Sequence, residues 1–493
     1  MKFLRTTLVT ALSIGGAAAL GACGSDDAQL GSERVGTGGS GGTDPGAGTG
    51  STHSGGATPN PDEPLPGVVS ATPGWQASSP EYDGVAVGGD APALNGFDPH
   101  LAADGLGGVI VVWRAKEGAT NKIMAQRVAP DGTLAWGTGI SVLEADYNQL
   151  HPKVVSDGNG GAFITWQDSR NASPYESVAQ YLNAAGERQW AASGSVVQRG
   201  THQELFPDGS GGAWLLCAKS GRPALQRLTS QGPGEVQVAG GASGADYVWG
   251  SPTEDGNVAV GWFSSTNHIY MQRLGTSASA AVEVTPRISV ADSVAFAAGP
   301  SSLFAAVAPY LDSVYGGLEL FGASDGGMVE WSEYARGTEP RGNELKPGIV
   351  PQSDGGAIVV WEDSRYGSDT NIYGQRFDAA GNRVWEDAGR PLVDSLGAQL
   401  TPSLLPDGSG GTFIVWTDLR AQQMDVFVTR VDANGAVAMD PPELQVTSAS
   451  AQQIARDWDF DGEHLFVVWT HRTVSANDEP AIMVVQRIDL GSQ

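Results

Sequence analysis

The chain has 493 residues, with 28 Lys or Arg set against 55 Asp or Glu and a formal charge of −27 at pH 7. A surface this acidic repels phosphate backbones and anionic headgroups, which argues against a nucleic-acid partner and leaves cations and basic groups as what its field attracts. Cys23 and Cys217 are the only cysteines, so no disulfide framework holds the fold.

The first 22 residues read as a signal peptide: basic Lys2 and Arg5, an apolar run from Leu8 to Leu20, then small residues before a cysteine. That run is too short to cross a bilayer as a helix. Leu20-Gly21-Ala22-Cys23 resembles the lipobox of bacterial lipoproteins. The resemblance implies cleavage before Cys23 and fatty acylation of its sulfur and amine, enough for stable membrane anchoring. Gly24-Ser25 follows the cysteine, in place of the Asp that retains enterobacterial lipoproteins in the inner membrane, so an outer-membrane or cell-surface location is expected. From residue 23 to 74 the chain is Gly, Ser, Thr, Pro, Ala and Asp, with little to bury, and is expected to be a disordered tether. Its root-mean-square reach is about 40 Å.

From residue 75 to 493 one phrase recurs: a proline, a short apolar stretch, Asp-Gly-x-Gly-Gly, an apolar run ending in Trp, then Asp-x-Arg. It reads most clearly from Pro152 to Arg170, Pro347 to Arg365 and Pro402 to Arg420. A second phrase follows each, a strand bearing Gln-Arg and then Gly-x-x-x-Trp, as in Gln126-Arg127 with Gly132 and Trp136. Aligning the central residue gives Trp113, Trp166, Leu216, Trp262, about Ala306, Trp361, Trp416 and Trp469. Units of about 50 residues with four strand-length runs each predict an all-β propeller of four-stranded blades. Eight blades result, or seven if the faint fifth unit is not one.

Both glycine-bearing turns fall on one face of such a ring, and the opposite face carries the longer loops that begin at Asp-x-Arg or cross between blades. The last unit stops at Leu490 without an outermost strand, and the segment from Trp75 to Val87 is free to supply it and close the ring. The head is expected to be monomeric.

Candidate chemistry is sparse. The turn aspartates Asp104, Asp157, Asp208, Asp354 and Asp407 invite a Ca²⁺ reading, yet each turn offers one carboxylate where Ca²⁺ takes about six to eight oxygens. Hydrogen bonding within the turn accounts for them better, and no cofactor is expected. The pairs Asp168 with Arg170, Asp363 with Arg365 and Asp418 with Arg420 lie on the long-loop face with Tyr147 and His151, and together make the candidate ligand surface. Repetition favours a structural role for the pairs, with Asp capping the loop and Arg reaching a neighbouring carboxylate or blade. His151, His202, His268, His464 and His471 show no metal-ligand spacing. Cys217 reads as a small buried apolar side chain.

The Gly-x-x-x-Trp phrase at Gly132/Trp136, Gly186/Trp190, Gly327/Trp331 and Gly381/Trp385 is similar to the closing half of the quinoprotein blade repeat. That family includes eight-bladed alcohol dehydrogenases and a propeller lipoprotein that scaffolds outer-membrane barrel assembly. The dehydrogenases carry a vicinal disulfide beside the quinone that this chain cannot make, so the resemblance points to the scaffold. Sialidase propellers also use Asp-bearing hairpins, but their Ser-x-Asp-x-Gly-x-x-Trp box is absent. The resulting expectation is a lipid-anchored, non-enzymatic module binding a protein or glycan of the cell envelope. A polysaccharide-binding or polysaccharide-active propeller is the alternative, and a quinone-dependent oxidoreductase the second.

Overall fold

The computed structural model describes residues 68–491, except for 79–82, 89–95, 171–175, 192, 200–202, 242–247, 254, 265–267, 285–290, 310–316, 337–343, 366–368, 421–422, 449–451 and 473–481. The signal peptide, Cys23, nearly all of the tether and His202 lie outside the described residues. Within them there is no helix, and the strands form eight sheets in chain order around a ring. Blades one to seven span 96–141, 149–199, 203–238, 248–284, 291–334, 344–393 and 399–445, and each runs from an inner to an outer strand. The fifth blade, faint in sequence, is a full four-stranded sheet.

The second strand of each blade is covered on both faces, which is why it reads as a continuous apolar run rather than an alternating one. Ala162–Asp168 is buried at all but one position. Trp113, Trp166, Trp262, Trp361, Trp416 and Trp469 sit there fully buried, and each such indole is worth about 3–5 kcal/mol against alanine. The register corrects the alignment in two blades. The position pairing beside Glu204 and Leu216 makes Cys217, not Leu216, the counterpart of Trp166, and Val307, not Ala306, fills that place in blade five. Cys217 therefore occupies a tryptophan site between blades, and burial pushes its thiol up to about 12.

The turns are held by their own aspartates. Asp104 accepts from the backbone N–H groups of Leu106 and Gly108 at 2.7 and 2.9 Å, and Arg127 Nε donates to it at 2.8 Å. Arg227 and Arg430 close on Asp208 and Asp407 in the same way, so the Arg of Gln-Arg serves the first turn. The Gln organises the second: Gln126 accepts from Trp136 N at 2.9 Å and donates to Gly137 O at 2.8 Å. The Trp that follows is a latch between blades. Indole N–H groups of Trp136, Trp331 and Trp385 donate to Ala184, Ala379 and Ala433 carbonyls one blade on, at 3.1, 3.2 and 3.2 Å.

Blade eight is made of 452–490 and is completed by the N-terminal segment, as its missing outer strand requires. The closing strand lies earlier than the sequence boundary suggests: Val69–Pro73 pairs antiparallel with Ile488–Leu490 and parallel with Met439 and Asp440 of blade seven. Val69 and Ala71 alternate inward and are buried, a short apolar signal hidden by the Ser, Thr and Pro around it. Val85–Ala86 adds to the same strand of blade eight. Trp75 repeats the latch, its indole donating to Pro130 O of blade one at 3.0 Å.

Candidate functional site

The three Asp-x-Arg corners share one construction. Asp168, Asp363 and Asp418 end the second strand and are buried. Each carboxylate is gripped by the Arg two residues on, with Nε at 2.8, 2.8 and 2.9 Å in turn. Trp361 and Trp416 donate their indole N–H to Asp363 and Asp418 at 2.8 and 2.9 Å. The guanidinium then covers a ring: Arg170 over Tyr147, Arg365 over Tyr373 and Arg420 over Phe427, at 5.3, 3.9 and 4.2 Å from the centroids. The two-residue spacing folds each Arg back on its own Asp, and Arg420 also reaches a neighbouring carboxylate, Glu443, at 2.7 Å, as the sequence leads one to expect. Burial raises the Asp418 carboxyl, yet the Arg420 and Trp416 hydrogen bonds outweigh it and hold the group below its usual value. These carboxylates are saturated within the fold, one corner each on blades two, six and seven. The structure groups Tyr147 with Asp168 and Arg170, and places His151 elsewhere.

His151 belongs to a second set of positions, at the start of the inner strands. Asp98, His151, Lys346 and Thr401 all have positive φ, from 50° to 57°, and each precedes a buried proline. The inner strand is bulged there, its pairing shifting between Phe97 and His100, Leu150 and Lys153, Leu345 and Gly348, and Leu400 and Ser403. Such a conformation costs a non-glycine residue of order 1–3 kcal/mol and re-aims its side chain. One backbone irregularity is thus repeated while the side chain on it changes from acid to imidazole to amine to hydroxyl.

Just beyond the bulge the variation becomes directional. At the register opposite the residue before the central Trp position stand His100, Lys153, Glu204, Trp249, Ala295, Gly348, Ser403 and Asp457, for blades one to eight. The ionisable members fall on the contiguous blades eight, one, two and three, and join Asp98 and His151 in a polar half-ring. Asp457 Oδ2 accepts from His100 Nδ1 at 3.1 Å and from Leu101 N at 3.0 Å. Asp98 lies between the two imidazoles, 3.8 Å from His100 and 3.4 Å from His151. Lys153 pairs with Glu204 at 3.1 Å.

Burial of Asp98 opposes its ionisation, but the His151 hydrogen bond and electrostatic attraction from His100, His151 and Lys153 hold its carboxyl well below the usual range. Burial likewise works against the Lys153 charge, and Glu204, Asp457 and Asp98 overcome it to raise the ammonium above its ordinary value. The His151 side chain is 60% exposed, so the half-ring has an accessible end. Among the described residues no three His, Cys, Asp or Glu side chains have a metal-binding arrangement. A separate groove of about 380 Å³ lies at the outer edge of blades one and two, lined by Ile140, Ser141, Glu144, Gly186, Glu187 and Arg188.

Of this half-ring only His151 stands out in the sequence. Its partners are scattered over four blades, and the one local signal is an x-Pro step at a fixed distance before the turn in blades one, two, six and seven, with x never the same.

The chain matches no protein-family model and no curated protein. Among solved structures it is similar to Sqt1 from Chaetomium thermophilum, at 12% identity over 82% of this chain and 98% of that one, with a TM-score of 0.45. It is also similar to the WD40 domain of Toxoplasma gondii coronin, at 10% identity over 87% and 88% of the two chains, TM-score 0.39. A putative TolB from Agrobacterium tumefaciens shares 16% identity over 61% of this chain and 93% of its own, TM-score 0.32. The sheet topology establishes the propeller by itself.

Proposed function

We propose that the protein is a lipid-anchored, non-enzymatic interaction module of the cell envelope, which holds a protein or glycan partner on its long-loop face with the polar half-ring as the anchor. The observation that carries this reading is the asymmetry of the half-ring. Features copied from blade to blade serve the fold, whereas ionisable groups confined to four neighbouring blades on a common backbone position suit a single recognition site. The lipobox at Cys23 supplies the anchor in this reading, and the tether lets the head work away from the bilayer. The acidic charge favours a partner that presents basic or hydroxyl groups.

A glycan-directed site is the second reading, favoured by an exposed imidazole beside a carboxylate in His151 and Asp98. The test is affinity capture from envelope extracts with the intact lipoprotein, comparing wild type with His100→Ala/Lys153→Ala and with Tyr147→Ala/Asp168→Ala. Loss of a partner with the first variant supports the half-ring as anchor, and loss with only the second moves the site to the loop corner. Partner profiles identical for all three reject this face altogether. Cys23→Ser should release the protein from membranes, as fractionation would read directly.

A further inference from the structure

We propose that the N-terminal closing segment and the polar half-ring are the two ends of one coupled joint, the seam between blades eight and one, so that loosening either end loosens the other. Its functional meaning rests on the half-ring being the recognition site, although its test does not. In seven seams the chain passes directly from an outer strand to the next inner strand, but blade eight ends the chain and blade one begins the ring. The seam between them is spanned covalently only through the segment that starts at Val69.

At the outer rim this seam is held by the Trp75 indole and by Arg487 Nη1, which both donate to Pro130 O of blade one, at 3.0 and 2.7 Å. Gln486 locks the segment from the blade-eight side, accepting from Trp75 N at 3.1 Å and donating to Asp83 O at 2.7 Å. At the inner rim the seam is held by carboxylates of blade eight. Asp457 takes the amide of Leu101 and the ring of His100, and Asp459 takes the amide of Ala103 at 2.8 Å.

A continuous apolar cluster fills the space between. Trp75, Val85 and Val87 from the closing segment, Leu101, Ala103, Val111 and Trp113 from blade one, and Phe466, Val468 and Val485 from blade eight belong to it. Trp75 packs on Phe466 with ring centroids 5.8 Å apart. Close-packed interiors transmit displacement rather than absorb it, so separation at Trp75 has a direct route to Leu101 and Ala103. Coupling between two ends is reciprocal by thermodynamic necessity.

Amide hydrogen exchange on the intact chain tests this in both directions. Trp75→Ala should speed exchange of the Leu101 and Ala103 amides by about tenfold or more and leave the inner strand of blade five, Ala291–Ala298, unchanged. Asp457→Ala should in turn speed exchange of the Trp75 and Val87 amides. Trp385→Ala, which cuts the latch between blades six and seven, should do neither. Should Trp75→Ala fail to fold, Arg487→Ala weakens the same rim with less loss of core. An equal rise in every inner strand, or a rise at the mutated end alone, overturns the joint. If coupling is present but His100→Ala/Lys153→Ala retains every partner, the joint stands and the recognition reading of the half-ring falls.

Discussion

The Asp-x-Arg corners and the inner-strand bulges both recur around the ring, but they repeat different things. In the corners the side chains are kept from blade to blade, and so is their geometry: a buried Asp, an Arg folded onto it and a ring beneath the guanidinium. In the bulges the backbone is kept and the side chain varies, through Asp98, His151, Lys346 and Thr401. A side chain kept with saturated partners has its binding capacity used up inside the fold. A strained backbone kept with free choice of side chain is a scaffold on which one blade can differ from the next, as a recognition site requires.

The comparison breaks first at the corners if it is wrong. Asp363→Ala removes the carboxylate that the nearly buried Arg365 and the Trp361 indole share, and should cost about 3–5 kcal/mol in denaturant unfolding. A loss under about 1 kcal/mol would mean that the corner is not a structural knot. Asp425 offers a smaller effect of opposite sign. It is buried opposite Asp418, and burial together with the charges of Asp418 and Asp83 raises its carboxyl above the usual value. A raised folded value favours the neutral form, so the benefit is full below the unfolded value near pH 3.9 and is lost as pH rises through the folded one. Asp425→Asn should therefore be more stable than wild type at pH 7 by about 1 kcal/mol, with the gap closing as pH falls toward 4. Melting temperatures across that range check the sign.

Asp98→Asn in the half-ring should matter least to stability. The Asp98 side chain is 36% exposed and solvent screens its pairing, so the cost should stay within about 1 kcal/mol. Its folded value is lowered, so its contribution is present above the unfolded value and is lost only as pH falls through the lower one. A cost comparable to that of Asp363→Ala would place the half-ring among the structural knots.

The propeller was legible because its signals are local. Asp-Gly-x-Gly-Gly and Gly-x-x-x-Trp each mark a turn, and their spacing counts the blades even where Cys217 or Val307 replaces the indole. Closure of the ring was legible too, but Val69–Pro73 was not, since two inward residues among Ser, Thr and Pro make a weak strand signal. The half-ring was nearly illegible for a physical reason: Asp457 and His100 lie 357 residues apart in the chain, and only ring closure makes them neighbours. His151 alone stood out, without the Asp98 that orients it.

The most direct test of the recognition claim is a matched capture experiment on the intact lipoprotein, with folding verified by denaturant midpoint. His151→Ala, at the exposed end of the half-ring, should keep its stability within about 1 kcal/mol of wild type and lose at least about tenfold in partner retention. Arg170→Ala, at a corner with its own buried carboxylate, should lower the midpoint while the folded fraction keeps its partner. The reverse pattern, stability lost at the half-ring and retention lost at the corner, would contradict the account.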